Sequence, residues 1–267
     1  MKAAILLLAT APLIAQDVRV SVFELFRPKV LEVRSEGNIL EVSKRPIEDA
    51  AWHRLIAGDR VTGRGQMPVV FRVRVPGKIE RSYFGVLRVD REANHLRAVV
   101  TMPLETAVGS IVASESVPGA TLEALKAQAV VARSFLLSSL ARHGAFDACD
   151  TTHCQFLKSP PAQSSAAARA ARETEGLVLT FDGQLFQALY SAQCGGRTRT
   201  IEEAGWQYSA YPYFAVDCKT CRGKRVEGHR LGLCQRGATA MSAEGAKYDV
   251  ILQHYFPGTQ IQPKTDR

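Results

Sequence analysis

The sequence predicts an α+β protein with a β-rich N-terminal part, a central helical segment and a mixed C-terminal lobe. Three observations predict this class. Apolar residues recur at every second position in short segments of 17–102, a long stretch with helical spacing follows at 122–140, and Cys-, His- and Gly-rich loops come after it. We therefore expect a single domain over residues 17–267, with parts at 17–102, 103–175 and 176–267.

The composition is that of a soluble globular protein. The chain has 267 residues, of which 46% are hydrophobic and 22% charged. Its net charge of +8 and pI near 9.3 favour an acidic partner, such as nucleic acid, anionic lipid or an acidic polymer. Because the basic residues are scattered rather than clustered in a run, the sequence does not indicate a nucleic-acid-binding arm.

The N-terminus has the pattern of a secretory signal peptide. Lys2 is followed by an apolar core from Ala3 to Ile14 and by a cleavage edge at Ala15 or Gln16. The core is too short to span a bilayer comfortably, and a buried first strand is the alternative interpretation. We expect a signal peptide at 1–16, no transmembrane segment, and an exported chain that is periplasmic, associated with the cell envelope or secreted.

The elements of the N-terminal part are strands. The clearest alternation of apolar and polar residues is Val70 to Val75, and Gly, Pro and Asn mark the turns between such segments. The pattern changes at Pro103, after which Leu104, Val108, Ile111 and Val112 fit a short helix with Glu105 in its first turn.

A long helix is predicted after the Pro118-Gly119 break. Thr121 is a suitable N-cap, and Gly144 supplies a C-terminal stop. One buried face is predicted from the helical spacing of Leu122, Leu125, Ala129, Ala132, Leu136 and Leu140.

The C-terminal part mixes short helices and strands. A helix is predicted from Ser165 to Thr174, and Asp182-Gly183 predicts a hairpin that joins strands at 177–180 and 185–190. A further helix is predicted from Ala238 to Phe256. Trp206, Tyr208, Tyr211 and Tyr213 fit either a sugar-stacking surface or, as is more usual for aromatic runs, the core.

The loop that follows the long helix carries a candidate metal site. Two imidazoles and two thiolates suit tetrahedral Zn²⁺. A Cys149–Cys154 disulfide is the alternative, and the two accompanying histidines favour the metal. Because four protein ligands fill the coordination sphere, the predicted zinc is structural, with the ligands His143, Cys149, His153 and Cys154.

The remaining cysteines are Cys194, Cys218, Cys221 and Cys234. In an exported protein, four such residues favour two disulfides, whose pairing the spacing does not fix. A second zinc site with four thiolates is a less favoured interpretation. A Cys218-X-X-Cys221 redox pair is also conceivable, but the surrounding pattern is not that of a thioredoxin-like βαβ unit.

Several motifs resemble one family in the same order. They run from YFGVLRV at 83–89 to YDVILQHYFPGT at 248–259. Between them lie Pro103-Leu104-Glu105, Ala113-Ser114-Glu115, LEALKAQAVVARSF at 122–135, FDACDTT at 146–152, Cys154-Gln155, ALYSAQCGG at 188–196 and GHRLGLCQRGA at 228–238. With these motifs, the chain resembles the stage II sporulation protein D (SpoIID/LytB) family.

The resemblance implies lytic transglycosylase activity on peptidoglycan glycan strands stripped of their stem peptides. It makes Glu115, in the small-residue turn between the two helices, the catalytic acid and base. Without the resemblance, Glu115 is more simply a solvated surface carboxylate. It also implies a groove lined by C-terminal loops, with substrate-binding residues Gln128, Arg133, Gln155, Tyr190, Ser191, Gly195, Gly196, His229 and Gln235. Arg133 is expected to orient Glu115 or to bind a carboxylate in a bidentate manner.

Two departures from the family pattern are visible. The family usually has Gly-His-Gly-Val-Gly-Met-Ser-Gln where this chain has residues 228–235, so that Arg230 replaces a glycine and Cys234 a serine. It also has Ser-Ser-Asn-Gly-Gly where this chain has Ser191-Ala192-Gln193-Cys194-Gly195-Gly196, so that Cys194 precedes the two glycines in place of asparagine.

Two other functions remain open from the sequence. Some relatives in the resembled family are described as amidase enhancers, which implies a non-catalytic wall-binding protein with a cell-wall amidase as partner. A zinc-dependent hydrolase is a third interpretation, disfavoured because the predicted metal has no open position. No catalytic cofactor and no nucleic acid are expected.

Overall fold

The computed structural model describes residues 16–207 and 209–264, over which the fold is α+β, as predicted. The predicted signal peptide, except Gln16, and Tyr208 lie outside the described residues. The strands are β1 (Asp17–Val22), β2 (Leu31–Ser35), β3 (Leu40–Val42), β4 (Arg45–Ile47), β5 (His53–Leu55), β6 (Arg60–Gly63), β7 (Val69–Val75), β8 (Ile79–Glu92), β9 (His95–Pro103), β10 (Ala148–Cys149), β11 (Leu177–Phe181), β12 (Gln184–Leu185), β13 (Tyr190–Ser191), β14 (Leu233–Cys234) and β15 (Gln260–Pro263).

The helices lie in the middle and at the end of the chain. They are α1 (Leu104–Glu115), α2 (Leu122–Ser138), α3 (Ala166–Glu173), α4 (Gln235–Ala243) and α5 (Tyr248–Tyr255), with short 3₁₀ turns at Glu24–Phe26, Arg64–Gln66 and Lys219–Cys221. Within the described ranges, every helix is too short or too polar to cross a membrane.

The long strand β8 organises the N-terminal sheet. Its first half pairs with β7, Val75 opposite Ile79, and its second half pairs with β9, Val86 opposite Thr101. Gly85 lies where the partner changes, and a Cβ atom there would come within 2.2 Å of the Thr101 carbonyl oxygen. The close backbone approach therefore requires glycine at this position.

One edge of this sheet extends to the Cys/His loop. β1 pairs antiparallel with β9, Val20 opposite Val100, and parallel with β10, Val20 opposite Ala148. The carboxylate of Asp147, next to β10, accepts hydrogen bonds from the Arg19 main chain and guanidinium. The sheet thus fixes the start of the loop that carries Cys149.

Helix α2 lies between two hydrophobic cores. Leu125, Ala129 and Leu136 pack in the core of the N-terminal strands, α1 and α3. Val130 and Val131 pack in a second core, which the C-terminal part provides. The helix is therefore buried on two faces rather than on the one face predicted, and close packing on both sides accounts for its many alanines.

The bounds of α2 differ from the prediction at one end only. Thr121 is the N-cap, with its side chain accepting from the Ala124 N–H. The helix ends at Ser138, so Leu140 lies beyond it and is 38% exposed, and Gly144 belongs to a later turn with φ +68°.

The C-terminal predictions are partly confirmed. Asp182 and Gly183 both have positive φ and connect β11 to β12, as the hairpin pattern predicted. The single helix expected from Ala238 to Phe256 is instead two helices, α4 and α5. Gly245, with φ +98°, lies between them, in the left-handed region that favours glycine.

Candidate active site

Glu115 is the last residue of α1, not part of the turn in which the sequence placed it. Its main-chain oxygen accepts a hydrogen bond from Nε2 of Gln235, 2.8 Å away. A carboxylate at a helix C-terminus gains no stabilisation from the helix dipole, because the dipole favours cations there. The local backbone therefore does not favour the ionised form of this side chain.

Two donors from distant parts of the chain hold the Glu115 carboxyl group. The Phe156 N–H donates to Oε1 at 2.6 Å, and the hydroxyl of Tyr190 donates to Oε2. Phe156 follows the Cys/His loop, whereas Tyr190 opens β13. The carboxyl group thus joins three elements that are separate in sequence.

Burial raises the pKa of Glu115, and the hydrogen bonds from Tyr190 and Phe156 partly oppose that rise. Burial together with the Glu115 charge also raises the pKa of Tyr190 well above its usual value. Tyr190 therefore remains a protonated donor. A carboxyl group whose pKa is raised in this way, held between fixed donors, is suited to give up a proton and to take one back.

A cavity of about 800 Å³ opens beside Glu115. Of the sequence-predicted groove residues, five line it: Gln155, Tyr190, Ser191, His229 and Gln235. Gln155 is 4% exposed, and neither its Oε1 nor its Nε2 has a hydrogen-bond partner among the described residues. Because an unpaired buried amide is costly, this side chain has the character of a ligand-binding group.

Gln128 lies behind the carboxyl group rather than in the cavity lining. It is 2% exposed, and its Oε1 accepts from the Ser116 hydroxyl at 3.3 Å. Gln128 thus packs beneath the end of α1, and its position fits support of Glu115 better than contact with a substrate.

The structure corrects the expectation for Arg133. Its side chain is fully buried, and its guanidinium binds the carboxylate of Glu105 in a bidentate manner and donates to the carbonyl oxygens of Leu177 and Ala171. The predicted bidentate carboxylate contact is therefore present, but with Glu105 rather than with Glu115 or a substrate. Arg133 joins α1, α2, α3 and β11.

Gly195 and Gly196 also lie outside the cavity lining, contrary to expectation. Both have positive φ, +77° and +118°. A Cβ atom on Gly195 would come within 2.7 Å of the Val226 side chain, and one on Gly196 within 3.1 Å of Arg222. These glycines allow the loop of residues 222–226 to pack closely, and that is their observed role.

His229 lines the cavity and also supports its wall. Its Nδ1 accepts from the Leu231 N–H at 2.9 Å, and the ring is hydrogen-bonded to the main chain of Tyr190. Burial lowers the pKa of His229, with the Tyr190 bond acting in the opposite direction. The neutral imidazole thus helps to position the strand that carries Tyr190.

Some lining residues were not among the predicted groove residues. Trp206, 45% exposed, lines the cavity near His229, whereas Tyr211 and Tyr213 belong to the core. Arg142, Glu227 and Phe135 also line the cavity. Arg142 and Glu227 directly precede His143 and Gly228, which were singled out, so extending each motif by one residue would have found both.

The Cys/His loop brings its four predicted metal ligands together. All four ligand atoms lie within 4.8 Å of one another. Sγ of Cys154 is 3.2 Å from Nε2 of His143, 3.6 Å from Nδ1 of His153 and 3.3 Å from Sγ of Cys149, and both cysteines are free. Tetrahedral Zn²⁺ with bonds of about 2.0–2.3 Å needs ligand atoms roughly 3.3–3.8 Å apart, so this donor set fits zinc.

This loop is coupled directly to the cavity. His153 and Cys154 line it, and Phe156, two residues later, supplies the N–H that binds Glu115. The other side of the loop is tied to the sheet, because the Asp150 carboxylate accepts from Arg81 and from the Phe23 N–H. The loop thus connects the N-terminal sheet to the Glu115 carboxyl group through these hydrogen bonds.

Part of the region that carries these motifs matches a family model. Residues 92–181 match the family model SpoIID, described as "Stage II sporulation protein". The matched segment contains Glu115 and the Cys/His loop. Within residues 92–181 the chain is therefore similar to the SpoIID family.

Two relatives extend the likeness. Stage II sporulation protein D of Bacillus subtilis (strain 168) is 24% identical over an alignment of 270 residues, which covers 65% of this chain and 78% of that protein. An uncharacterised protein of Brachyspira hyodysenteriae (strain ATCC 49526 / WA1) is 27% identical over 123 residues, 45% of this chain. The match spans only 33% of that second protein.

At position 230, where the SpoIID pattern has glycine, this chain has arginine in a backbone conformation that is typical of glycine. Arg230 has φ +69°, in the region that favours glycine. Its guanidinium donates to the carbonyl oxygen of Arg197 at 2.9 Å and lies outside the cavity lining. The substitution therefore adds a contact between two loops and none to the cavity.

Proposed function

We propose that the chain is an exported lytic transglycosylase that cleaves peptidoglycan glycan strands, with Glu115 as the single acid and base. The observation that carries the proposal is the Glu115 carboxyl group beside the cavity, with a pKa raised by burial and with Tyr190 and Phe156 as donors. The match of residues 92–181 to the SpoIID model supports the proposal, since it was the SpoIID resemblance that implied this chemistry.

In the first step, protonated Glu115 gives its proton to the glycosidic oxygen between MurNAc and GlcNAc. The bond from that oxygen to C1 of the muramic acid breaks, which leaves an oxocarbenium-like sugar and a carboxylate. The fixed donors Tyr190 and Phe156 stabilise the carboxylate as its charge develops, and they need no reorganisation to do so.

In the second step, the Glu115 carboxylate removes the proton from the 6-hydroxyl of the same sugar. The oxygen then bonds to C1, which closes a 1,6-anhydro ring and returns the proton to Glu115. No water is consumed, so no second carboxylate is required. A single group of suitable pKa therefore completes the cycle.

The cavity wall offers contacts for a glycan. Trp206 presents an exposed ring on which a sugar face can stack, and the unpaired amide of Gln155 suits hydroxyl or acetamido groups. Strands that lack stem peptides carry a free lactyl carboxylate on every second sugar. Arg142 at the cavity and the net charge of +8 favour such a polyanion.

A zinc ion in the Cys/His loop would be structural. His143, Cys149, His153 and Cys154 would hold it and leave no open position for substrate. Its contribution would be to keep the loop rigid, and thereby to keep the Phe156 N–H on Glu115. In this proposal residues 1–16 are a signal peptide, and residues 17–267 form one domain.

One observation favours a second candidate. Glu227 also lines the cavity, and a second carboxylate could activate water in an ordinary glycoside hydrolysis. Its side chain is 43% exposed and lies 3.8 Å from Arg236, so it is solvated and paired with an opposite charge rather than held between fixed donors. The single-carboxylate reaction is therefore favoured.

The test is digestion of intact and amidase-treated sacculi by the purified chain, with the products analysed by mass spectrometry. The proposal predicts 1,6-anhydro ends and faster release from amidase-treated sacculi. Faster peptide release only when an amidase is present would support an amidase enhancer instead and would contradict the proposal. Chelator-sensitive formation of reducing ends would support a zinc hydrolase.

A further inference from the structure

A second group of thiols lies in the core of the C-terminal part. Cys194, Cys218, Cys221 and Cys234 are all buried, and their four sulfur atoms lie within 4.8 Å of one another. The sulfurs of Cys221 and Cys234 are 3.6 Å apart. All four are free thiols in the structure, in place of the two disulfides expected from the sequence.

The spacing of the sulfurs fits a metal. With Zn–S bonds of about 2.3 Å, a tetrahedral ion needs sulfur atoms roughly 3.8 Å apart in every pair. Two disulfides would need only two close pairs at bonding distance, and nothing would require the pairs to meet. Convergence of all four sulfurs on one point is thus better explained by a common ligand.

The local backbone has the form of a metal-binding turn. Cys218 and Cys221 are separated by two residues, a usual spacing in structural zinc sites. A 3₁₀ turn at Lys219–Cys221 joins them, closed by a bond from the Cys221 N–H to the Cys218 carbonyl oxygen at 3.0 Å. The sulfurs of the two residues lie within 4.8 Å of each other.

The sulfurs have hydrogen-bond donors around them, and basic residues are close to them in sequence. The Tyr255 hydroxyl donates to Sγ of Cys218 at 3.5 Å, and the main-chain N–H groups of Gly196 and Gly237 bond to Cys194 and Cys234. Four thiolates and one Zn²⁺ leave two negative charges. Basic residues flank the turn and can balance that charge: Lys219, Arg222, Lys224 and Arg225.

Gly237 shows how closely the cluster is packed. A Cβ atom there would lie 2.5 Å from Sγ of Cys218 and 2.0 Å from the Tyr255 hydroxyl. The absence of a side chain in α4 thus leaves room for the Cys218 sulfur and for its donor.

We propose that Cys194, Cys218, Cys221 and Cys234 bind a structural Zn²⁺ as four thiolates, separate from the Cys/His site. Cys194 and Cys234 are two of the positions at which the chain departs from the SpoIID pattern, so this site is specific to chains that carry both cysteines. The proposal concerns metal binding and does not depend on the transglycosylase activity.

The position of the site gives the metal a role in the cavity wall. Ser191 and Cys234 are paired in the parallel strands β13 and β14. Tyr190 precedes Ser191, and Gln235 follows Cys234, and both bind Glu115. The metal would therefore tie together the two strands that deliver the Tyr190 hydroxyl and the Gln235 amide.

The test measures how many metal ions the full chain binds and which atoms coordinate them. The chain is first dialysed against Zn²⁺, and free metal is then removed. Native mass spectrometry should give two zinc ions per chain, and X-ray absorption should give an average of about three sulfurs and one nitrogen per zinc. One zinc per chain with equal sulfur and nitrogen would overturn the proposal. This comparison needs no variant.

Matched variants assign each ion. Cys221→Ser should lower the zinc content by one ion and leave a two-sulfur, two-nitrogen average. Cys149→Ser should also lower the zinc content by one ion but leave the site with four thiolates. When Co²⁺ replaces the remaining zinc in this variant, the charge-transfer spectrum should be that of a tetrathiolate site. Thiol titration of the unfolded, chelated wild-type chain should find six thiols. Two thiols, with four residues in disulfides, would contradict the proposal.

Discussion

The hydroxyl of Tyr190 donates a hydrogen bond to the carboxyl group of Glu115, although 75 residues separate the two in the chain. The first residue of β13 thus holds the last residue of α1. The contact joins the part of the chain that matches the SpoIID model to the part beyond it, and it gives the candidate acid a donor that burial keeps protonated.

Replacement of Glu115 by glutamine should abolish the release of anhydro products. Glutamine keeps the shape of the side chain but has no proton to transfer, and loss of a general acid costs about 10²–10⁴ in rate. Glu227→Gln is the matched control, because it removes the other carboxylate at the cavity. Its rate should stay within about threefold of wild type. Equal losses in both variants would favour the two-carboxylate hydrolase.

Glu115→Gln should leave the fold intact. Because burial raises the folded pKa of Glu115, its proton stabilises the fold fully below the unfolded pKa of about 4.3, and that contribution is lost as the pH rises through the folded pKa. The Tm of the variant relative to wild type should therefore be higher at pH 8 than at pH 4. Calorimetry at both pH values checks this sign.

Tyr190→Phe should shift the pH dependence of the reaction. The hydroxyl favours the ionised form of Glu115, so its loss raises the Glu115 pKa further. The alkaline limb of the kcat/KM profile, where Glu115 loses its proton, should move to higher pH. The rate should also fall about tenfold, as expected for one hydrogen bond to a charged group. An unshifted limb would show that Tyr190 does not act on Glu115.

Arg133→Ala should lower stability and leave the KM unchanged. The buried guanidinium neutralises Glu105 and binds two carbonyl groups, and breaking such a pair costs about 3–5 kcal/mol in the free energy of unfolding. Urea denaturation measures this loss. A double variant, Arg133→Met with Glu105→Leu, should recover most of it.

Arg142→Gln is the contrasting variant, because Arg142 lines the cavity and is exposed. It should raise the KM for stripped strands about two- to fivefold at low salt, and the difference should shrink at high salt. A raised KM in Arg133→Ala, at unchanged stability, would restore the substrate-binding role that the structure does not support.

If the Cys/His loop holds the structural zinc proposed above, exchange of that metal should not change the chemistry. Removal of the ion with a chelator from the Cys221→Ser variant, in which the Cys/His site is the one proposed zinc site that remains, should lower activity, because the loop no longer holds the Phe156 N–H on Glu115. Reconstitution with Cd²⁺, which also binds thiolates, should restore activity to about the level reached with Zn²⁺. Activity recovered with Zn²⁺ but absent with bound Cd²⁺ would indicate a direct role of the metal in the reaction.

Local features of the fold could be read from the sequence. The Thr121 cap, the periodicity of α2 and the Asp182-Gly183 hairpin depend on neighbouring residues, and all three were confirmed. The spacing of leucine and alanine residues in α2 predicted one buried face. The second buried face depends on contacts with the C-terminal part, which the spacing within α2 does not contain.

Less of the candidate site could be predicted from the sequence, because its contacts join residues that are far apart in the chain. Arg133 was predicted to bind substrate in the groove. The structure pairs it instead with Glu105, which lies 28 residues earlier in the chain. The four core thiols come from segments up to 40 residues apart, and whether they pair or meet at one point depends on how β13 and β14 align. Glu115 was singled out by the family resemblance, and its helix-end position and its donors required the structure.

The most direct test of the central claim is whether oxygen from water is incorporated into the new ends of the glycan strands. Stripped glycan strands are digested in ¹⁸O-labelled water, and the new ends are analysed by mass spectrometry. If Glu115 acts alone and the 6-hydroxyl attacks C1, the new muramic acid ends carry no ¹⁸O and are lighter than reducing ends by one water. Incorporation of ¹⁸O at C1 of the first products would show that water attacks, and it would contradict the single-carboxylate mechanism.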